Sequence, residues 1–294
     1  MTTLWQAAIL EPVPAAGHFL VFDIDTGLDP RPALTRVRAG FTPEGAVLGL
    51  GLPLVAALGA KIAGLRSFPA LAGPGCALPS TQGAVWAFFG GTDVSDIHDR
   101  AHELRALLGD GFFVREDVAA FVYRGGRDLT GYEDGTENPK DDAAIAAAIV
   151  SRRGVGLDGS SFVAVQRYVH DVERFKSFAP EVSDHTFGRR LTDNEEIADA
   201  PASAHVKRSA QESFDPPSFM VRRSMPWGGV VERGLYFVAY GETLDRYERV
   251  LSRMVGMEDG VVDALFTFTR AVSGGYYWCP PVQGGKLDLR ALGV

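Results

Sequence analysis

The chain has 294 residues, with 29 basic and 37 acidic side chains for a formal net charge of −8, and 46% hydrophobic and 10% aromatic residues. This is a globular composition with enough apolar material for one large domain or two packed ones. Phosphate binding needs clustered Lys and Arg, so an acidic chain without a basic run excludes nucleic acid as a partner.

In chain order, the opening Met1-Thr-Thr-Leu-Trp-Gln6 lacks the basic-then-apolar order of a secretory leader, and a cytoplasmic location is expected. His18–Asp25 (HFLVFDID) reads as a strand. The apolar stretch Ala46–Leu65 is broken by Gly49, Gly51, Pro53, Gly59 and Lys61 and does not read as a membrane span. Cys76 and Cys279 are too far apart for a metal knuckle and too few for a disulfide framework, so both are expected to be core thiols. Gly83–Phe89 (GAVWAFF) is a second strand, leading into a helix over Val94–Leu108 whose Ile97, Ala101, Leu104 and Leu108 share one face and which Gly109 stops. Phe112–Tyr123 predicts one or two further strands, closed by the Gly and charge cluster Arg124–Asp128.

The grammar then repeats. Ser161–His170, Phe219–Arg223 and Gly234–Tyr240 are strand-like, and Thr243–Met254 is a helix with Leu244, Tyr247, Val250, Leu251 and Met254 on its apolar face. Two similar blocks joined by both short loops and helices fit a duplicated α+β architecture better than a parallel sheet.

The common catalytic templates are missing: no GxSxG elbow, no phosphate loop, no HExxH, and no GxGxxG between a strand and a helix. His98 and His102 have the i, i+4 spacing of metal ligands, but Asp99, Arg100 and Glu103 around them point to a solvated helix face. Gly131-Tyr-Glu-Asp-Gly-Thr-Glu-Asn-Pro139 is the least ordinary segment. Asp134 before Gly135 allows a sharp turn that holds a carboxylate at a fixed point, although an Asx-type turn between halves would look the same. Ala204-His-Val-Lys-Arg208 sets a histidine amid positive charge, and Phe219-Met-Val-Arg-Arg-Ser-Met-Pro-Trp227 runs a strand into a loop with two arginines at the junction. Taken alone, a histidine such as His205 is more often a surface or capped residue than a ligand.

Together these segments resemble the dye-decolorizing (DyP-type) haem peroxidases, and within them the bacterial B-type group. The resemblance covers nearly the whole chain. It runs from Gln6-Ala-Ala-Ile-Leu-Glu-Pro12 through the GxxDGT of Gly131–Thr136, the HVKR of His205–Arg208 and Arg222-Arg-Ser-Met-Pro226 to Phe268-Thr-Arg-Ala-Val-Ser-Gly274. It implies an α+β fold of two ferredoxin-like halves, residues 1–140 and 141–294, each an antiparallel sheet with helices, with haem b mainly in the second.

Carried over residue by residue, the resemblance makes His205 the proximal iron ligand, Asp134 the distal carboxylate and Arg222 the distal arginine. Arg222 is preferred to Arg223 because the family places that arginine four residues before the MP proline, and neighbours on a strand face opposite sides. Ser224 stands in the distal set where several relatives have Asn, and Arg208 and Thr136 join His205 and Arg222 as cofactor-binding candidates. Thr267 occupies the place of the carboxylate that usually supports the proximal histidine, which puts that support in doubt unless another acid, such as Asp263, reaches it.

The function implied is a hydrogen-peroxide-dependent oxidation of dyes, phenols or similar organic donors through an oxoferryl porphyrin-radical intermediate. A haem-handling protein with incidental peroxidase activity and a metal-free binding module are the other readings. A homo-oligomer without membrane attachment is implied. The short tail Lys286–Val294 reads as an ordinary terminus rather than the extension by which some relatives dock into an encapsulating shell.

Overall fold

The computed structural model describes residues 4–294; Met1–Thr3, part of the stretch read above for a leader, lie outside the described residues. The first half holds β1 (Ala16–Ile24), α1 (Arg31–Gly40), β2 (Ala46–Gly51), α2 (Leu52–Ala57), a small hairpin of β3 (Leu71–Gly73) and β4 (Cys76–Leu78), β5 (Val85–Gly91), α3 (Val94–Leu108) and β6 (Phe112–Phe121). The second holds α4 (Asp141–Ala148), β7 (Ser161–His170), α5 (Val172–Lys176), α6 (Pro180–Phe187), α7 (His205–Ser209), β8 (Val221–Arg222), β9 (Met225–Gly228) and β10 (Arg233–Gly241). It continues with α8 (Asp245–Met254), β11 (Thr269–Ala271) and β12 (Gly275–Cys279), and ends in a hairpin of β13 (Val282–Gln283) and β14 (Lys286–Leu287). No helix among the described residues is long and apolar enough to cross a membrane.

Local chemistry explains the boundaries. The carboxylate of Asp93 caps α3 by accepting from the Ser95 N–H, and Gly109, with φ 74°, ends it. The apolar run from Ala46 is cut where Gly51 ends β2 and Pro53 enters the first turn of α2. Gly51 is required there, because a Cβ would stand 2.1 Å from the Gly83 carbonyl oxygen. Phe112–Phe121 is one strand rather than two, and it absorbs a register shift opposite Val21 and Phe22 instead of turning.

In the first half the strands lie in the order β2-β5-β1-β6, and in the second β12-β7-β10-β9, with every pair antiparallel. The two sheets meet at both edges. Tyr277 and Trp278 of β12 pair with Gly51 and Leu50 of β2, and Ala120 of β6 pairs with Trp227 of β9, so eight strands close into a ring. Alternate side chains then divide between two cores. Phe19, Val21, Trp86, Val118, Tyr236, Tyr240 and Tyr277 fill the interior, where Phe19 of the first half stacks on Tyr236 of the second at 4.0 Å. Leu20, Phe22 and Leu48 face outward under α1 and α3.

β8 and β9 follow β10 in one register, Arg222 opposite Ala239 and Met225 opposite Tyr236. Val221 and Met225 therefore point into the ring, and Arg222 points to the outer face. That outer face is not sealed by the helices above it: a cleft opens between the second sheet and the layer of α6, α7 and α8. Cys279 is buried as expected, but Cys76, in the β3–β4 hairpin, is partly exposed and is not a core thiol.

Candidate active site

The cleft contains about 1310 Å³ of empty space, part of it open to solvent. Leu235 and Phe237 of β10, Val250 and Met254 of α8, and Leu265, Phe266 and Phe268 give it apolar walls. Polar groups enter from several elements, with Glu133, Glu137, Arg189 and Asn194 among them. His205 comes from α7, Arg222 from β8, Asp134 and Thr136 from the turn before α4, and Asp128, His170 and Thr269 from one wall.

His205 is the first residue of α7, reached through the extended Ala204. Its Nδ1 lies 2.7 Å from Oδ2 of Asp263, whose side chain is fully buried, and Asp263 Oδ1 accepts from the Leu265 N–H at 2.9 Å. Nδ1 is thereby the donor, and the opposite ring nitrogen, Nε2, carries the lone pair and faces the cleft. The expectation about Thr267 is thus corrected. Its hydroxyl is exposed and donates to the Ala264 carbonyl at 2.7 Å, while the carboxylate partner of His205 is Asp263, four residues earlier, which caps the turn containing Thr267.

Asp134 opens onto the cleft from a turn whose next residue, Gly135, has φ 75°. The residue is exposed through the open cleft, yet the protein packed around its carboxyl pushes that group above the usual range, and the nearby Asp128 carboxylate adds to this, while the Arg222 guanidinium, the Gly135 N–H and His205 oppose it. Arg222 lines the same cleft with its Nε buried and unpartnered. Arg223 turns to the other face and donates to the Glu11 and Leu10 carbonyls at 2.7 and 2.9 Å. Ser224 is buried beside the Val238 N–H, at 3.4 Å from its Oγ, and does not line the cleft.

Thr136 does line it, its Oγ1 accepting from Asn194 Nδ2 at 2.9 Å. Arg208 does not. Its two Nη atoms each lie 2.8 Å from an oxygen of Asp259, and Nη2 also donates to the Arg253 carbonyl at 2.6 Å. The buried Arg208 is a brace between α7 and the end of α8, and its hydrogen bonds hold the Asp259 carboxyl down at about 2. The expected role in holding a cofactor is corrected accordingly: His205 and Ser209 of the same short helix line the cleft, but the Arg208 guanidinium is drawn away from it by Asp259 and the Arg253 carbonyl.

Two features were missed by sequence reasoning. The His170 ring is held on both sides, its Nδ1 2.7 Å from Thr269 Oγ1 and its Nε2 3.1 Å from Asp128 Oδ1. Burial works against the charge on Asp128, yet the bonds from His170 and from the Thr130 hydroxyl and N–H hold its carboxyl below the usual range. Asn138 grips the main chain of Arg222 at 2.8 and 2.9 Å. The Asp128-Leu-Thr130 spacing is a side-chain turn signal, but nothing local points to either long-range partner.

Comparison with known proteins gives one answer. The family described as Dyp-type peroxidase, C-terminal, matches residues 125–284, more than half of the chain. The chain is 32% identical over 225 residues to a dye-decolorizing peroxidase of Mycobacterium tuberculosis, spanning 74% of this chain and 67% of that one. It is 31% identical over 291 residues to one of Rhodococcus erythropolis, spanning 92% and 85%. Among solved structures, a variant of DypB from Rhodococcus jostii in complex with heme shares 28% identity with a TM-score of 0.86, covering 94% of this chain and 95% of that one. A dye-decolorizing protein from V. cholerae shares 26% identity with a TM-score of 0.80, covering 93% and 96%.

Proposed function

The chain belongs to the dye-decolorizing (DyP-type) peroxidase family, and from that premise we propose that its cleft binds haem b through His205 and uses Asp134 and Arg222 to activate hydrogen peroxide. The donors are dyes, phenols and similar organic molecules. The residues present fit such a group. The cleft is large and apolar-walled, one histidine offers it a lone pair with the far nitrogen already committed, and a buried guanidinium nitrogen in its wall has no partner in the protein. Bound there, haem would supply two-electron reduction of peroxide followed by one-electron oxidation of donors.

The protein's part is positional and electrostatic. Asp263 orients the His205 ring and strengthens Nε2 as a donor of electron density, by accepting from the opposite N–H. Asp134, which opens onto the cleft with its carboxyl held above the ordinary range, takes a proton from incoming peroxide and returns it to the departing oxygen. Arg222, permanently charged and with no competing protein acceptor at Nε, stabilises the negative charge that develops as the peroxide oxygens part. The apolar walls keep these charges strong by excluding water.

We read residues 1–140 and 141–294 as two ferredoxin-like halves, on the support of the identical strand orders of the two sheets. On this reading the second half supplies most of the cleft, and the 128–137 loop from the end of the first supplies Asp134.

The observation that carries the proposal is the His205–Asp263 pair opening onto the cleft that also holds Asp134 and Arg222. The test is the absorption spectrum of purified protein with and without peroxide. His205→Ala should lose haem or lose the native Soret band, and a variant with an unchanged spectrum would remove His205 as ligand and the mechanism with it.

A further inference from the structure

The turn carrying Asp134 and the strand carrying Arg222 are remote in sequence, and one side chain joins them. Asn138 Oδ1 accepts from the Arg222 N–H at 2.8 Å, and Asn138 Nδ2 donates to the Arg222 carbonyl at 2.9 Å. Toward β10 it is the next residue, Arg223, whose N–H reaches the Val238 carbonyl at 2.9 Å, so the polar groups of Arg222 point to the open edge of the sheet. There the carboxamide presents an acceptor and a donor, as a neighbouring strand would. At its other end the Asn138 N–H closes the turn onto the Gly135 carbonyl at 3.1 Å. A Cβ at Gly135 would stand 3.1 Å from Asn138 Nδ2, so glycine leaves the carboxamide its place.

Among the described residues no other hydrogen bond joins residues 131–138 to 221–222, and the Arg222 guanidinium makes none to the protein. Its aim into the cleft comes from where the main chain holds it. We propose that Asn138 is a positioning residue, whose two bonds to Arg222 set where that guanidinium stands relative to the Asp134 carboxylate. The inference rests on the reading of Asp134 and Arg222 as the working pair.

The test compares the haem-loaded wild type with Asn138→Ala, Arg222→Ala and the double variant, by stopped-flow reaction with hydrogen peroxide across pH and by amide hydrogen exchange. Asn138→Ala should keep the resting spectrum, exchange faster over residues 219–224, and react about 10- to 100-fold more slowly, the cost of misplacing a group by about 1 Å. Its acid limb should also move to higher pH. The charged and titratable groups facing Asp134 are Arg222, Asp128 and His205, and withdrawing the first weakens the largest influence that holds the carboxyl down. If Asn138 acts through Arg222, the double variant should be slower than Arg222→Ala by less than about threefold; contacting residues are non-additive in this way.

A wild-type rate in Asn138→Ala beside a slow Arg222→Ala, or losses that multiply in the double variant, would overturn this proposal alone. A wild-type rate in Arg222→Ala would overturn the functional reading and this inference together. Should Asn138→Ala not fold, Asn138→Ser, a neutral side chain too short to make both bonds, must show the same faster exchange and the same pH displacement.

Discussion

At the scale of single residues, the support of His205 turns on one carboxylate. Asp263 is fully buried, and its two oxygens are spent on the His205 Nδ1–H and the Leu265 N–H, so it is held in one orientation as the anionic acceptor of the imidazole proton. A charged acceptor gives the ring more basicity than a neutral one and favours the oxidised metal. Asp263→Asn keeps the size and loses the charge. It should raise the Fe(III)/Fe(II) potential and weaken haem retention by about 10- to 100-fold, the scale on which such supporting partners act at other metals. Thr267→Asp should leave the potential where it is, since that side chain is exposed and turned to the Ala264 carbonyl. Spectroelectrochemical titration of both variants checks this, and a response at Thr267 equal to that at Asp263 would contradict the geometry.

At the scale of elements, the five-residue α7 is too short to be stable by itself. It is held by contacts at its far end, where the buried Arg208 makes a bidentate bridge to Asp259 and a bond to the Arg253 carbonyl at the end of α8. Hydrogen bonds to charged groups are each worth roughly 1.5–3 kcal/mol net. Asp259 is half exposed and is resolvated when its partner is removed, so Arg208→Ala should cost about 2–3 kcal/mol rather than the sum of the lost bonds. Denaturant titration measures that cost. Because Arg208 does not line the cleft, the variant's spectrum should stay native while its haem dissociates faster, as α7 loses its anchor.

At the scale of the whole molecule, the halves share one interior. The ring closes through few backbone pairs, Tyr277 and Trp278 at one joint and Ala120 at the other, so side-chain packing must do most of the joining. Phe19 stacked on Tyr236 at 4.0 Å is part of that packing. Phe19→Ala should therefore destabilise by about 3–5 kcal/mol, the range for deleting a buried aromatic side chain. Although Phe19 belongs to the first half, loss of the Soret band and loss of near-UV dichroism should still coincide in denaturant. Two separated transitions would show that the halves unfold independently despite their common core.

Period and punctuation were enough to specify the local grammar: β7 and α3 have the limits that alternation, helical spacing and Gly109 predict. The same signals lost β2 and α2 inside one apolar run, because a fully buried strand and a buried helix segment are equally apolar and only Gly51 and Pro53 separate them. The resemblance of its motifs to the family singled out His205, Asp134 and Arg222, and the family's spacing to the MP proline, with strand parity, separated Arg222 from Arg223. Tertiary structure alone decided what supports them. Asp263 rather than Thr267 reaches His205, Arg208 braces a helix instead of lining the cleft, and Asn138 grips Arg222 across 84 positions. The physical reason is that period and capping are set by neighbours in sequence. Partners such as these are set by which loops the closed ring brings to one face of its sheet, and no local pattern records that.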